Sequence, residues 1–572
     1  MQAPAQENSN HPEKLIWLFL LGWTVLNLLQ AATLGLHSDE AYYWVYSRFL
    51  DWGYFDHPPM VAVFIRIGYS IFQNELGLRL LTVLSSTAAL ALLWLTVKQY
   101  NANAKQFVLL TGGVFIFHIY GFITTPDAPL FCYAILFYFL FQRYLVEDKL
   151  PVALLLSITL AALLYSKYHA VLLIGFSVFA NIKLLQRRTF WIICLITVLL
   201  YLPHIWWQVS HGYPSVNYHL FERSSETYDL SNTLSFLPGQ LLMAGPLIGW
   251  LLFTLVAQIK VKDAFIRTLL VNAASTFAFF LFNTLKGNVQ PHWTLIAFIP
   301  LILLALITLG QKQNWKPWMT YIAVINLSLI VLLRLMLIAG FDFLKHRNQI
   351  DSLYGYREWA AQIKQRAGDA YVIFPDGFQD PSKYNFYTNS LKGFAYDNRF
   401  YRRTQYELWP LEDRFQHKRT LYITQARDTS LAMDSLQTVK YKAYTYWLDD
   451  TRTYQRVKVE SDTYKVKAKP GQPMVFHLTI TNPYDYPVNF SNEGELHKLY
   501  FGACFIQNDR MDYAVRSPAN IYNISLKPHQ TINYTFPLKA PVQKGNYDLI
   551  FSLRTEPFPG GRNSRIVNFT VE

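Results

Sequence analysis

About eleven apolar stretches of near-membrane length, all of them before residue 341, constrain this chain more than any other feature. Roughly 20 apolar residues in helical form cross a hydrocarbon core. On that ruler the spans fall near 15–35, 76–97, 105–122, 127–146, 150–165, 168–185, 189–209, 234–258, 264–284, 292–310 and 317–340. Pro59–Phe72 is apolar but short and carries Arg66, which predicts a helix lying at the membrane surface. Lys14 followed by Leu15–Leu34 is too long for a signal core and reads as a retained first span. Beyond Gly340 no apolar run approaches membrane length. That division reconciles a composition 52% hydrophobic with a mean hydropathy of only +0.13: an apolar half is joined to an ordinary soluble half.

The net charge of +13 does not call for nucleic acid. Its basic residues collect in alternate short gaps, as cytoplasmic loops of membrane proteins require. These gaps hold Lys98 and Lys105; Lys149; Lys183, Arg187 and Arg188; Lys260, Lys262 and Arg267; and Lys312 and Lys316. The other gaps, His37–Pro59, Thr124–Asp127, Tyr165–His169, His211–Asn232 and Lys286–His292, should face outward. An odd number of spans puts the soluble part outside as well. Cys132, Cys194 and Cys504 give no disulfide framework.

The soluble part reads as two pieces. Residues 344–454 combine helix-like Ile350–Arg366 with strand-like Ala370–Phe374 and Thr420–Thr424, an α/β domain. Residues 455–572 carry short alternating strands, among them Met474–Thr481, Thr531–Leu538, Tyr547–Arg554 and Arg565–Val571. Turns such as Pro559-Gly560-Gly561 punctuate them, giving a β-sandwich of immunoglobulin-like type. The expected architecture is thus a polytopic helical membrane domain, 1–343, followed by an extracytoplasmic α/β domain and a β-sandwich.

Chemistry concentrates on the outward gaps. The first, HSDEAYYWVYSRFLDWGYFDHPPM, holds Asp39 and Glu40, then Asp56-His57 before two prolines that stiffen the exit. Charges beside a bilayer are costly unless used. The second is TTPDAPL, where Asp127 opens a span and could be only a helix cap. The third is YSKYHA, with Lys167 and His169 in a tight turn. The fourth, LPHIWWQVSHGYPSVNYHLFER, holds His219, Glu222 and Arg223, with Trp206 and Trp207 as interface anchors. The fifth, LKGNVQPHW, presents Lys286 and His292.

In this order the motifs SDEAYY…FDHPPM, TPDAPL, YSKYH, LPHIWWQV…YHLFER and KGNVQPHW resemble membrane glycosyltransferases of the C-type fold. The nearest are bacterial relatives of the dolichyl-phosphate-mannose protein mannosyltransferases and of the lipid A aminoarabinose transferase. The likeness covers roughly residues 15–340. It implies a hexosyl- or pentosyltransferase in the bacterial cytoplasmic membrane, with its C-terminal part periplasmic. The donor would be a polyprenyl-phosphate sugar and the acceptor a lipid, glycan or protein. The resemblance implies Asp39, with Glu40 beside it, and Asp127 as catalytic acids. It puts His57, where the lipid A enzyme has lysine, and Lys167 on the donor phosphate, and His169, Arg223, Lys286 and His292 are further candidates. A divalent metal is implied at Asp56 and either His219 or Arg223.

The chemistry agrees. Displacing a polyprenyl phosphate from an anomeric carbon makes an anionic leaving group and a cation-like sugar. Basic groups stabilise the first, and a carboxylate takes an acceptor proton or steadies the second. A lipid transporter or flippase without transferase activity would need polar groups at mid-span or pseudo-symmetric broken helices. A helix-anchored receptor would leave the loop acids unexplained.

Overall fold

Seven helices among the described residues are long and apolar enough to cross a membrane: His11–Thr33, Glu75–Lys98, Asp127–Val146, Arg188–Ser210, Ala264–Asn283, Leu295–Lys312 and Pro317–Ala339. The computed structural model describes residues 11–219, 228–507 and 510–572. An eighth crossing is counted if the pair Leu230–Ala244 and Gly249–Val256, bent by 93°, forms one span. The protein is a multi-pass membrane protein, but the expected count of eleven is not met. The stretch 105–122 is broken at Gly112-Gly113 into Ala104–Thr111 and Phe115–Tyr120. A side chain at Gly113 would meet Ile248 and Asn326 within 2.8 Å, and Asn326 Nδ2 donates to the Gly113 carbonyl. The stretches at 150–165 and 168–185 form helices of 17 and 10 residues, Leu150–Ser166 and Ala170–Phe179. The Pro59–Phe72 stretch forms the helix Met60–Ile71.

Leu295–Lys312 is buried through almost its whole length, as a helix apolar on every side should be. Around it pack the buried faces of the other helices. A polar knot lies among them: Arg334 donates to Gln30 and Asn27 and meets His118 Nδ1, joining three helical segments. A buried arginine needs such partners, because an unsatisfied charge in an apolar interior is expensive.

The chain divides into two units, Met1–Tyr354 and Gly355–Glu572. The first runs past the expected end at 343, because Leu353 packs with Ala31, Leu34, Val83 and Phe122. The Leu353 carbonyl accepts from Gly35 N–H.

The expected helix Ile350–Arg366 is interrupted at the chain position that divides the two units. Gly355, at φ 74, separates Asn348–Asp351 from Tyr356–Ala367. Tyr371–Pro375 pairs in parallel with Gly393–Tyr396 and Thr420–Thr424, and Lys442–Leu448 and Asp434–Gln437 extend the sheet antiparallel. A β-sandwich follows. One sheet runs Arg510–Arg516, Leu499–Gln507, Gly545–Thr555, Val567–Val571, Lys465–Ala468; the other runs Thr531–Lys539, Pro473–Thr481, Lys458–Ser461. Alternating apolar residues fill the space between them. The α/β sheet and the sandwich belong to one unit. The buried carboxylate of Glu412 accepts from Tyr454 N–H, Gln455 N–H and Tyr484 O–H.

Candidate functional site

The helix Ser38–Arg48 begins with a capping box. His37 Nδ1 accepts from Asp39 N–H at 3.3 Å, and Glu40 returns an oxygen to His37 N–H at 3.0 Å. Glu40 does far more than cap. Both its oxygens meet the Arg79 guanidinium, at 2.8 and 2.6 Å, and one also accepts from Thr124 N–H at 2.9 Å. Arg79 spends its remaining donors on the carbonyls of Ala31, Leu34 and Gly35, which close the first span. Both side chains are fully buried. Glu40, expected as a catalytic acid, therefore stands as a strut that fixes the first loop against the Thr124–Asp127 corner. Asp39, next in the chain, stays 42% exposed and lies 3.7 Å from His37.

Asp127 opens its helix, yet no side chain caps that helix end. Both Asp127 oxygens accept from Lys167 Nζ at 2.8 Å, in a pair only 5% and 7% exposed. The two residues were expected in separate roles, and the structure joins them. An ammonium has three donors, so one Lys167 N–H remains beyond the two given to Asp127.

The rest of the first loop is clasped from the fourth gap. Trp207 Nε1 donates to Asp51, His204 Nδ1 lies 2.7 Å from the Trp52 carbonyl, and Ser215 donates to the Tyr54 carbonyl. Gly53 is required here, because a Cβ would lie 2.4 Å from the Trp207 ring. Trp207 is thus buried under the loop, whereas Trp206 is 68% exposed as an interface anchor would be. Tyr54 stacks on Tyr46, and Tyr46 O–H donates to the Asp56 carboxylate at 2.5 Å.

His57 lies within electrostatic range of Asp56, Asp127, Lys167 and His219. Burial holds its imidazole down to about 3, so it enters as a neutral ring rather than the cation expected for a phosphate. Among the described residues, its Nδ1 and that of His169 are buried without a hydrogen-bond partner. Buried polar atoms are ordinarily paired, and an exception calls for a water, an ion or a functional role at that atom. His169 is within range of His57, Lys167, His219 and His292. Tyr43 and Tyr120 are each within range of both Asp39 and Asp127. The structure therefore gathers residues from all five gaps: Asp39, Asp56, His57, Asp127, Lys167, His169, His219 and His292. Lys286 is exposed and makes no described contact with them. Arg223 lies outside the described residues.

The metal expectation finds few donors. His219 Nε2 lies 2.9 Å from the Asp56 backbone carbonyl oxygen. Among the described residues no three His, Cys, Asp or Glu side chains converge, and a bound divalent ion needs at least that many. Asp56 and His219 alone do not fit such an ion.

Sequence reasoning missed Arg79, Thr124, Tyr46 and the Trp207 clasp. Arg79 carried a usable signal, since an ionisable residue inside an apolar span implies a partner.

The helical membrane unit, whose loops bring acids, a lysine and histidines together, shares its fold with a solved bacterial membrane protein. The fold comparison agrees. ArnT from Cupriavidus metallidurans in the apo state aligns with a TM-score of 0.56 at 14% identity, over 76% of this chain and 98% of its own. The same protein bound to undecaprenyl phosphate aligns at 0.55, over 75% and 97%. The family described as dolichyl-phosphate-mannose-protein mannosyltransferase matches residues 56–207. That match runs from Asp56-His57 to Trp207. The lipid A galacturonosyltransferase RgtD of Rhizobium johnstonii is 28% identical over 251 residues, 40% of this chain and 51% of that protein. The chain thus spans about half the length of this curated relative. The resemblance read from the ordered motifs is shown by these matches.

The ion pair gives a direct prediction. Lys167→Met should strand the Asp127 carboxylate and cost about 3–5 kcal/mol of stability. The Lys167→Met/Asp127→Asn double variant should recover much of that but remain inactive. Thermal unfolding and sugar transfer measured on all three proteins check it; an active double variant would reduce the pair to scaffolding.

Proposed function

We propose that this protein transfers a glycosyl group from a polyprenyl-phosphate-linked sugar to an acceptor outside the cytoplasmic membrane. The observation that carries the reading is the buried Asp127–Lys167 pair, with His57 and His169 nearby, whose Nδ1 atoms lack a partner among the described residues, and with Asp39 within range of the same Tyr43 and Tyr120 as Asp127.

The acceptor oxygen attacks the anomeric carbon as the bond from that carbon to the phosphate oxygen breaks. The polyprenyl phosphate leaves with the bonding electrons. Lys167, held by Asp127, directs its remaining N–H to a phosphate oxygen, where charge-assisted bonds are strongest. The neutral rings of His57 and His169 hydrogen-bond the phosphate or the sugar hydroxyls. Asp39, the more accessible acid, accepts the proton of an acceptor hydroxyl. If the acceptor is a phosphate, it is already a nucleophile and Asp39 orients it. The galacturonosyltransferase relative acts on lipid A by its name, and ArnT binds undecaprenyl phosphate. By that analogy the favoured acceptor is a lipid and the favoured carrier an undecaprenyl phosphate.

The unit beyond Tyr354 then lies in the periplasm. Reporter fusions after Arg188 and after Arg347 should report opposite sides of the membrane; the same side for both would remove the argument from the basic gaps. The reaction itself is tested by lipid mass spectrometry of a deletion strain. A polyprenyl-phosphate sugar should accumulate while one envelope lipid, glycan or protein loses that sugar. Unchanged lipid-linked sugars and unchanged envelope glycans would contradict the proposal.

A further inference from the structure

The second unit carries a cleft of about 410 Å³ that the glycosyl-transfer reading does not use. Arg399, Arg427 and Arg554 line it, together with Asp428, Tyr422 and Pro559. The arginines come from three places: the segment after Gly393–Tyr396, the segment after Thr420–Thr424, and the last turn of the sandwich strand Gly545–Thr555. Three guanidinium groups in one concavity repel one another, so a fold gathers them at a cost unless an anion sits between them.

Among the described residues no carboxylate forms an ion pair with them, although Asp428 lies within electrostatic range of Arg554. Arg399 Nη1 faces the sulfurs of Cys504 and Met511, at 2.6 and 3.8 Å, rather than a carboxylate. Arg427 and Arg554 are exposed and have no described ion pair. Asp428, the acid in the cleft, turns its Oδ1 to the N–H and O–H of Ser430, at 2.9 and 2.6 Å. Arg399 is also held rigid. Its backbone N–H donates to the Gly560 carbonyl, and a Cβ at Gly560 would lie 2.4 Å from its Nη2. Glycine in the Pro559-Gly560-Gly561 turn is what admits the guanidinium. The opposite wall is apolar: the Tyr422 ring packs edge-on against Phe558 at 5.2 Å, beside Pro559.

We infer that this cleft binds a sugar phosphate, with the phosphoryl group among the three arginines and the sugar against Tyr422 and Pro559. Planar guanidinium forks match phosphate oxygens two at a time. The volume lies in the range of small-ligand sites, about 300–1,000 Å³. The same chemistry is offered by a soluble phosphorylated glycan and by the phosphorylated sugar headgroup of a glycolipid. The inference stands apart from the membrane site and survives if that reading fails.

The test is titration calorimetry on the full chain in nanodiscs of neutral lipid, with glucosamine 1-phosphate, glucosamine and inorganic phosphate as probes. Glucosamine 1-phosphate should bind saturably and weaken as salt rises, glucosamine should not bind, and inorganic phosphate should bind less tightly. Arg427→Gln/Arg554→Gln changes only exposed side chains, so thermal unfolding should be unaffected while sugar-phosphate affinity falls at least about tenfold. Nanodiscs that carry monophosphoryl lipid A assign the source: competition points to a glycolipid headgroup, and its absence to a soluble glycan. Inorganic phosphate binding as tightly as the sugar phosphate would overturn the inference. So would sugar-phosphate affinity that is absent, or unchanged in the double variant.

Discussion

Asp39→Asn should leave the protein folded and reduce sugar transfer by about 10²–10⁴-fold, the usual contribution of a positioned general base. The side chain sits in the first turn of the Ser38–Arg48 helix and is 42% exposed, so an uncharged replacement of the same shape is accommodated at a partly solvated position. Asparagine keeps the shape and a carbonyl oxygen, and it is well tolerated near a helix N-terminus. The loss should fall on turnover, with donor affinity held by Lys167 and the histidines. The measurement is transfer rate, donor affinity and thermal unfolding on one preparation. A variant with near-normal turnover would remove Asp39 from the chemistry. A variant with lost donor binding would move it to the phosphate.

Glu40→Gln, one residue along, should behave in the opposite way. The fully buried pair with Arg79 joins the end of the first span, the first loop and Thr124. An amide leaves the guanidinium with half an acceptor, and breaking such a pair costs about 3–5 kcal/mol. The expected result is a large drop in thermal stability, and lost activity as a consequence. The double replacement Glu40→Met/Arg79→Met should recover stability in part, because apolar pairs of similar volume pack well where buried charges stood. It should not recover activity, since Thr124 N–H loses its acceptor and the corner that aims Asp127 is freed. Wild-type-like unfolding of Glu40→Gln together with lost turnover would instead make Glu40 a catalytic acid.

These two neighbours show where sequence reading stops. Both acids stand out in SDEAYY, because charges next to apolar spans are conspicuous. Only the fold shows that Glu40 meets Arg79, 39 residues away, while Asp39 stays partly exposed. No spacing rule links a loop acid to an arginine on the following span. Asp127 and Lys167 were legible as individuals for the same reason, and their pairing across 40 residues was not. His57 was legible as a ring beside Asp56, but its neutrality follows from burial, which a sequence does not display. The spans show the same limit. Hydropathy finds each apolar stretch, but the break at Gly112-Gly113 and the bend at Gly245 (φ 140) depend on neighbours and backbone geometry. In the second unit, Thr420–Thr424 was found to the residue. Leu499–Gln507, buried on nearly every side in mid-sheet, shows no clean alternation to read.

The central claim is that the unit of helices breaks the bond between a sugar and a lipid phosphate. Purified protein in nanodiscs, given the lipid-linked sugar pool of the deletion strain and an envelope extract as acceptor, should release undecaprenyl phosphate. Mass spectrometry would follow the release with time. Wild type should convert the donor, whereas Asp39→Asn should bind it and leave it intact. No release by wild type, or equal release by Asp39→Asn, would contradict the account.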